Sequence, residues 1–327
     1  MSKEIYLNPK IFSNTEETEQ LSIHQGFDEG LLIAGDNDER VVALCSDPTR
    51  SEKVSLFAKE YPGRFFKNDL AEESMFSVAL GMATMGKIPF VLLPKLFSPG
   101  KNCEQIKAAM YCNNVPVKII GSHSGVFAGS YKGTLQTIED IALIRSMSQM
   151  TILAPCDAIE AQKATVYAAQ IDGPVYIRFP QEETSIITTD ETPFEIGKAE
   201  VFFRPDGDVD VGVIASGHLV YNAIRAAKDL DDEGVRVRVL NLSTIKPMDI
   251  DAVVKLGTQT GKIVIIEECQ TVGGVGSAVA EVLAQIAPAK MRFIGACDMS
   301  GISDGRMPHP GIDIENIKNT IRELYVQ

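Results

Sequence analysis

Two series of short β-branched runs, each interleaved with segments of helical period, restrict this chain to an α/β architecture built twice over. In the first series, Val41–Cys45, Phe90–Leu93, Val117–Gly121, Thr151–Ala154 and Val175–Phe179 read as strands. They are apolar at nearly every position, which suits strands covered on both faces, as in a parallel sheet flanked by helices. Two of the intervening helices are marked at their starts. Asp157 and Glu160 sit three apart after Pro155, and Asp69 and Glu72 repeat that spacing ahead of Met75, Val78 and Leu80, as capping boxes do. The polar stretch from Gln181 to Pro193 has little apolar content and reads as a linker. Beyond it the alternation restarts, with strands near Val209–Ala215, Arg236–Asn241, Ile263–Glu267 and Met291–Ile294. Helices fit at His218–Asp232, Asp249–Thr260, Val275–Ile286 and near Asp313–Tyr325. The chain of 327 residues is long enough for two domains at about 150 residues each. We therefore expect an α/β fold with a parallel-sheet domain over residues 1–185, a linker over 186–200 and a smaller α/β domain over 201–327.

Composition removes several functional classes. Thirty-one basic and forty-four acidic side chains leave a net charge of -13 with no basic patch, which disfavours nucleic acid and anionic lipid as partners. The six cysteines follow no C-x-x-C spacing and the four histidines are dispersed, as expected of reduced thiols rather than of a disulfide frame or a zinc site. No apolar run approaches the roughly 18 residues of a membrane span, and the opening M-S-K-E-I-Y-L-N-P-K lacks a signal core. A cytoplasmic protein without membrane contact is the expectation.

Common catalytic signatures are missing: there is no G-x-S-x-G elbow and no H-E-x-x-H pair. The turn G-G-V-G at Gly273–Gly276 stands between a strand and a helix, where a phosphate cradle is conceivable. Val279 occupies the place of the third glycine, however, and close backbone packing is the plainer reading.

The stretch from Arg64 to Lys107 is more informative: R-F-F-K-N-D-L-A-E-E-S-M, then G-K-I-P-F-V, then F-S-P-G-K-N-C-E-Q-I-K. It resembles the thiamine-diphosphate enzymes of the transketolase type, which run R-F-F-N-V-G-I-A-E-Q-N-M, G-K-I-P-F-V and F-x-x-F-x-x-x-R-x-x-E-Q-I. Later stretches agree in the same order: G-S-H-S-G (121–125), E-D-I-A-L-I-R (139–145), G-P-V-Y-I-R (173–178), I-K-P-M-D (245–249) and G-G-V-G-S-A-V-A-E (273–281). The likeness is to the pyrimidine-binding and C-terminal domains, which some organisms encode as a separate subunit.

That resemblance implies a set of roles. Glu72 matches the glutamate that hydrogen-bonds the cofactor's aminopyrimidine; a carboxyl in a dry cleft can share a proton with a weak ring base near neutral pH. Taken alone, the same residue belongs to a capping box with Asp69. Phe97 matches the second aromatic of F-x-x-F and would stack on that ring, whereas Pro94 replaces the first. His123 is the candidate for polar contact near the thiazolium, or else an ordinary strand-end histidine. The family motif H-A-G-x-x-x-G-E-D-G-x-x-H-Q is altered downstream: Tyr131 replaces the aspartate, Leu135 the histidine, and Lys132 a glycine, while Gln136 is kept. Gln181 falls where an arginine would hold a substrate phosphate, and Cys269 replaces a histidine. Tyr131, Lys132, Gln136 and Gln181 are thus the substrate-side candidates.

Neither Asp206-Gly207-Asp208 nor Asn113-Asn114 completes the G-D-G and asparagine-pair signature that ligates Mg2+ in the family. The resemblance therefore implies an N-terminal transketolase-type partner subunit that carries the diphosphate and Mg2+ site. It also implies self-association through the pyrimidine-binding domain, giving an α2β2 assembly. The implied reaction is transfer of a two-carbon ketol unit from a ketose to an aldehyde. The alternatives are the β subunit of a 2-oxo acid dehydrogenase, or a non-catalytic paralogue that stabilises a partner.

Overall fold

Strands that are apolar at every position need cover on both faces, and layers of helix supply it. The structure is a computed structural model that describes residues 6–13, 18–45, 55–67, 72–93, 106–107, 114–122, 125, 138–180, 183–296 and 311–327. Elements are numbered among these residues. The first half runs β1 (Gln20–Ser22), α1 (Ile23–Asn37), β2 (Val41–Cys45), α2 (Ser55–Glu60), β3 (Phe65–Lys67), α3 (Glu72–Thr84), β4 (Ile88–Leu93), β5 (Lys118–Ser122), α4 (Asp140–Arg145), β6 (Thr151–Leu153), α5 (Ala158–Ala169), β7 (Val175–Phe179) and β8 (Glu183–Ser185). The second half runs β9 (Glu200–Phe203), β10 (Val211–Ala215), α6 (Leu219–Asp232), β11 (Val237–Asn241), β12 (Thr244–Lys246), α7 (Ile250–Thr260), β13 (Lys262–Gln270), α8 (Val275–Ile286), β14 (Lys290–Ala296) and α9 (Ile314–Tyr325).

The first sheet has the order β12-β6-β7-β5-β4-β2-β3 and the second β14-β13-β10-β11-β9. Each is parallel except for one antiparallel edge strand, β12 in the first and β9 in the second. One face of the first sheet buries Phe27, Phe57, Phe90 and Phe179 against α1, α2 and α5. The other face joins a core that crosses into the second half, where Met75, Val91 and Ile119 belong to the same apolar cluster as Leu240, Val253 and Ile265. A third cluster lies between the second sheet, α6 and α9.

The strands and helices expected from the periodicity are present, with ends that coincide or differ by up to three residues. The polar stretch read as a linker is more structured than expected. Its β8 pairs antiparallel with β1, and Asp157, the N-cap of α5, accepts backbone N–H groups from Ile187 and Thr188 at 2.7 and 2.6 Å. A buried carboxylate that gathers loop N–H groups satisfies donors no sheet ladder reaches. The second unexpected feature is β12. It comes from the second half of the sequence but adds to the edge of the first sheet beside β6, so the halves share a sheet as well as a core.

Candidate active site

Chain direction fixes where the segments that carry the predicted residues begin. β4, β5 and β7 are adjacent and parallel, so their carboxyl ends form one rim, and neighbouring strands stand about 4.8 Å apart. Three sequence-predicted residues follow these ends: Phe97 after Leu93, His123 after Ser122, and Gln181 after Phe179 and Pro180. The strand order brings the departure points of these segments together. Phe97, His123, Tyr131, Lys132, Leu135, Gln136 and Gln181 themselves lie outside the described residues, as does Asp69.

Glu72 is the first residue of α3. This helix carries the chain from edge strand β3 back past β2 to β4, the point where strand order reverses and where open α/β sheets gather ligands. Behind Glu72, Met75 and Phe76 are fully buried in the core. The backbone thus sets this acid at the boundary between rim and core; its side chain is outside the described residues. Among the described residues, no group of three or more His, Cys, Asp or Glu could hold a metal ion.

The described polar residues at the rim form a buried network that sequence reasoning did not identify. Arg178 on β7 donates through Nε to Asp140 Oδ2 at 2.8 Å and through Nη1 to Glu268 Oε2 at 3.3 Å. The Tyr176 hydroxyl donates to the same Asp140 oxygen at 2.7 Å. His218 Nδ1 stands 3.4 Å from Glu268 Oε2. The Asp140, Glu268 and Arg178 side chains are 0%, 2% and 5% exposed. Burial disfavours the Arg178 charge, but Asp140 and then Glu268 outweigh it and hold the guanidinium protonated more firmly than usual. Arg178 is thus held by two internal carboxylates of the fold. One signal was available in the sequence: I-V-I-I-E-E-C places two acids in an otherwise apolar strand.

The first of those acids explains the glycine turn. Glu267 accepts the Val275 and Gly276 N–H groups at 2.7 and 2.9 Å, and Cys269 Sγ donates to it at 2.7 Å. A Cβ on Gly274 would overlap Glu267 Oε2. The helix start therefore holds an internal carboxylate where a phosphate would bind in a nucleotide site. Burial pushes the Glu267 carboxyl up to about 7, against the lowering effect of these donors.

Comparison with known proteins follows the two halves. Residues 19–185 match the transketolase pyrimidine-binding domain, and residues 197–310 match the transketolase C-terminal domain. The chain is 34% identical over 307 residues to a putative transketolase C-terminal section of Methanocaldococcus jannaschii, covering 92% of this chain and 95% of the relative. It is 33% identical over 308 residues to an apulose-4-phosphate transketolase subunit of Phocaeicola vulgatus, covering 93% and 97%. It is 35% identical over 271 residues to a 6-deoxy-6-sulfo-D-fructose transketolase subunit of a Clostridium species, covering 83% of each. Among solved structures, a split-gene transketolase described as an inactive beta4 tetramer superposes with a TM-score of 0.84 at 31% identity, covering 94% of this chain and 99% of the other.

Proposed function

This chain belongs to the transketolase family as a C-terminal-type subunit, and from that premise we propose that it is one component of a two-component transketolase-like enzyme. The partner would be an N-terminal subunit, with the cofactor at the seam between the two chains. The observation that carries the reading is the near-complete, end-to-end match to relatives that are themselves named as a C-terminal section or as one subunit of a transketolase.

Thiamine diphosphate fits what is described at the rim. An acid opens a helix at the reversal point of the strand order, backed by the apolar Met75 and Phe76. When bound, the cofactor would supply a thiazolium ring that serves as the sink for the electron pair of a cleaved carbon–carbon bond. Glu72 would hold a proton on the pyrimidine ring, Phe97 would stack against that ring, and His123 would orient oxygen atoms on the substrate side. Mg2+ and the diphosphate are held by the partner. Gln181 lacks the charge to grip a terminal phosphate bidentately. The donor is accordingly a ketose whose far end differs from that of the common sugar phosphates, and a relative named for a sulfonated ketose supports such a departure.

The test is reconstitution. This chain is mixed with its N-terminal partner, thiamine diphosphate and Mg2+, and ketose consumption with an aldehyde acceptor is measured. Glu72→Ala should lower turnover about a hundredfold or more while the chains still associate. Activity that depends on a 2-oxo acid instead, or turnover indifferent to Glu72→Ala, defeats the reading.

A further inference from the structure

We propose that the second half of the chain binds a small phosphate ester in a cleft between α7 and the β11–β9 edge of its sheet, with the phosphate held by Arg204, Arg238 and Lys255. α7 lies over β10 and β13 and leaves the outer strands of that face beneath a cavity of about 390 Å³, a volume within the usual range for small-molecule sites. Val201, Leu240 and Leu256 give it an apolar lining. Arg238 and Leu240 are two apart on β11 and so share a face, and Leu240 belongs to the core common to both halves. β9 pairs antiparallel with β11, with Phe203 opposite Val239. One step further along that register sets Arg204 beside Arg238.

Two arginines side by side on neighbouring strands repel, and an acid at either position would serve the fold better. Burial, and then the charge of Arg204, hold the Arg238 guanidinium below its usual range. Arg238 Nη1 donates to Gln259, while its Nε is buried without a hydrogen-bond partner. Lys255 stands one turn before Gln259 on α7 and lines the same cavity. Among the described residues, none of the three cations forms an ion pair. A phosphate between them would offset the repulsion and accept the stranded donor through charge-assisted bonds. The other end of the cleft is net acidic, lined by Glu195, Lys198 and Glu200. Glu200 lies four positions before Arg204, roughly 13 Å at 3.3 Å per residue. The ligand therefore carries phosphate at one end and hydrogen-bond donors, hydroxyl or ammonium, at the other. None of this depends on the transketolase reaction.

The full chain alone is titrated by isothermal calorimetry with inorganic phosphate, glucose 6-phosphate, phosphoethanolamine and glucose. One of the two esters should bind saturably with a Kd of about 1 mM or below, more tightly than inorganic phosphate. Glucose should give no saturable heat. The tighter ester identifies the donor at the far end as hydroxyl or ammonium. Arg204 is exposed, so Arg204→Glu should fold. That variant should weaken ester binding at least about tenfold while raising the melting temperature of the ligand-free chain by about 1–2 °C, because it replaces repulsion by attraction. Lys255→Gln, on the exposed side of α7, should weaken binding about three- to tenfold at an unchanged melting temperature. No saturable binding, binding indifferent to both variants, or equal affinities for the esters and inorganic phosphate would overturn the proposal. So would a loss of binding in Arg204→Glu matched by a fall in melting temperature, which would make Arg204 a structural residue only.

Discussion

Gly274 and Glu267 show how neighbouring residues can imitate a ligand site. The sequence G-G-V-G carries the ambiguity, and the carboxylate that resolves it lies seven residues upstream on β13. Replacing Gly274 by Ala would drive a methyl group into Glu267 and into the Gln270 carbonyl. We expect Gly274→Ala to destabilise the chain by at least about 2 kcal/mol in urea denaturation; an unchanged midpoint would mean that the turn is not built around the acid. The helix that carries Glu72 was legible because the motif and the apolar period of Met75, Val78 and Leu80 both mark it. The Asp140–Arg178–Glu268 network was not, because its bonds span 38 and 90 residues of sequence. Only Glu268, set in an apolar strand, stood out in the sequence, and nothing local tied it to Arg178 or Asp140.

At the scale of elements, the central strands were readable and the edges were not. β2, β5, β7, β10 and most of β13 are long enough, and buried enough on both faces, to be written as continuous apolar runs. β1, β8 and β12 have three residues each, and their partners are distant in sequence, so no local period could announce them. Helix α3 raises a different issue. One side buries Met75, Phe76, Ala79 and Ala83, while Ser77, Val78, Gly81 and Thr84 are exposed, with Met85 83% exposed just beyond. A helix apolar or small on nearly every side is built to be covered, and a second pyrimidine-binding domain is the cover we propose. Gly81 is the discriminating position, because a Cβ there meets nothing within 4 Å in the single chain. Gly81→Leu should leave the chain at least as stable, gaining up to about 1 kcal/mol of helix propensity, while abolishing self-association in sedimentation. An unaltered oligomer mass would place the contact elsewhere.

Because its halves share a core, a sheet edge and a polar seam, the whole molecule should unfold as one cooperative body. The shared core contains Met75 and Ile119 together with Leu240 and Ile265, so the first half by itself would expose apolar surface. Along the seam Asn241 donates to Glu160 at 2.8 Å, and the Cys156 N–H donates to the same carboxyl at 2.6 Å. Burial, and then the charge of Asp157, push the Glu160 carboxyl up from its ordinary 4.5 to about 7. Between those pH values the folded chain keeps a proton that the unfolded chain has lost, so this group's stabilisation is complete below about pH 4.5 and falls as pH rises towards 7. One proton corresponds to at most about 1.4 kcal/mol per pH unit. Other carboxylates with partners in the fold act in the opposite direction, so the effect is read as a difference between variants. Glu160→Gln removes the titration but also one accepting oxygen, which lowers stability by roughly 1 kcal/mol at acid pH. Relative to wild type it should then gain roughly 1–3 kcal/mol between pH 5 and 7. Both chains should unfold in a single transition, followed by tyrosine fluorescence because the sequence has no tryptophan. A difference that stays constant with pH would show that Glu160 is ionised throughout, and two separate transitions would show that the seam does not couple the halves.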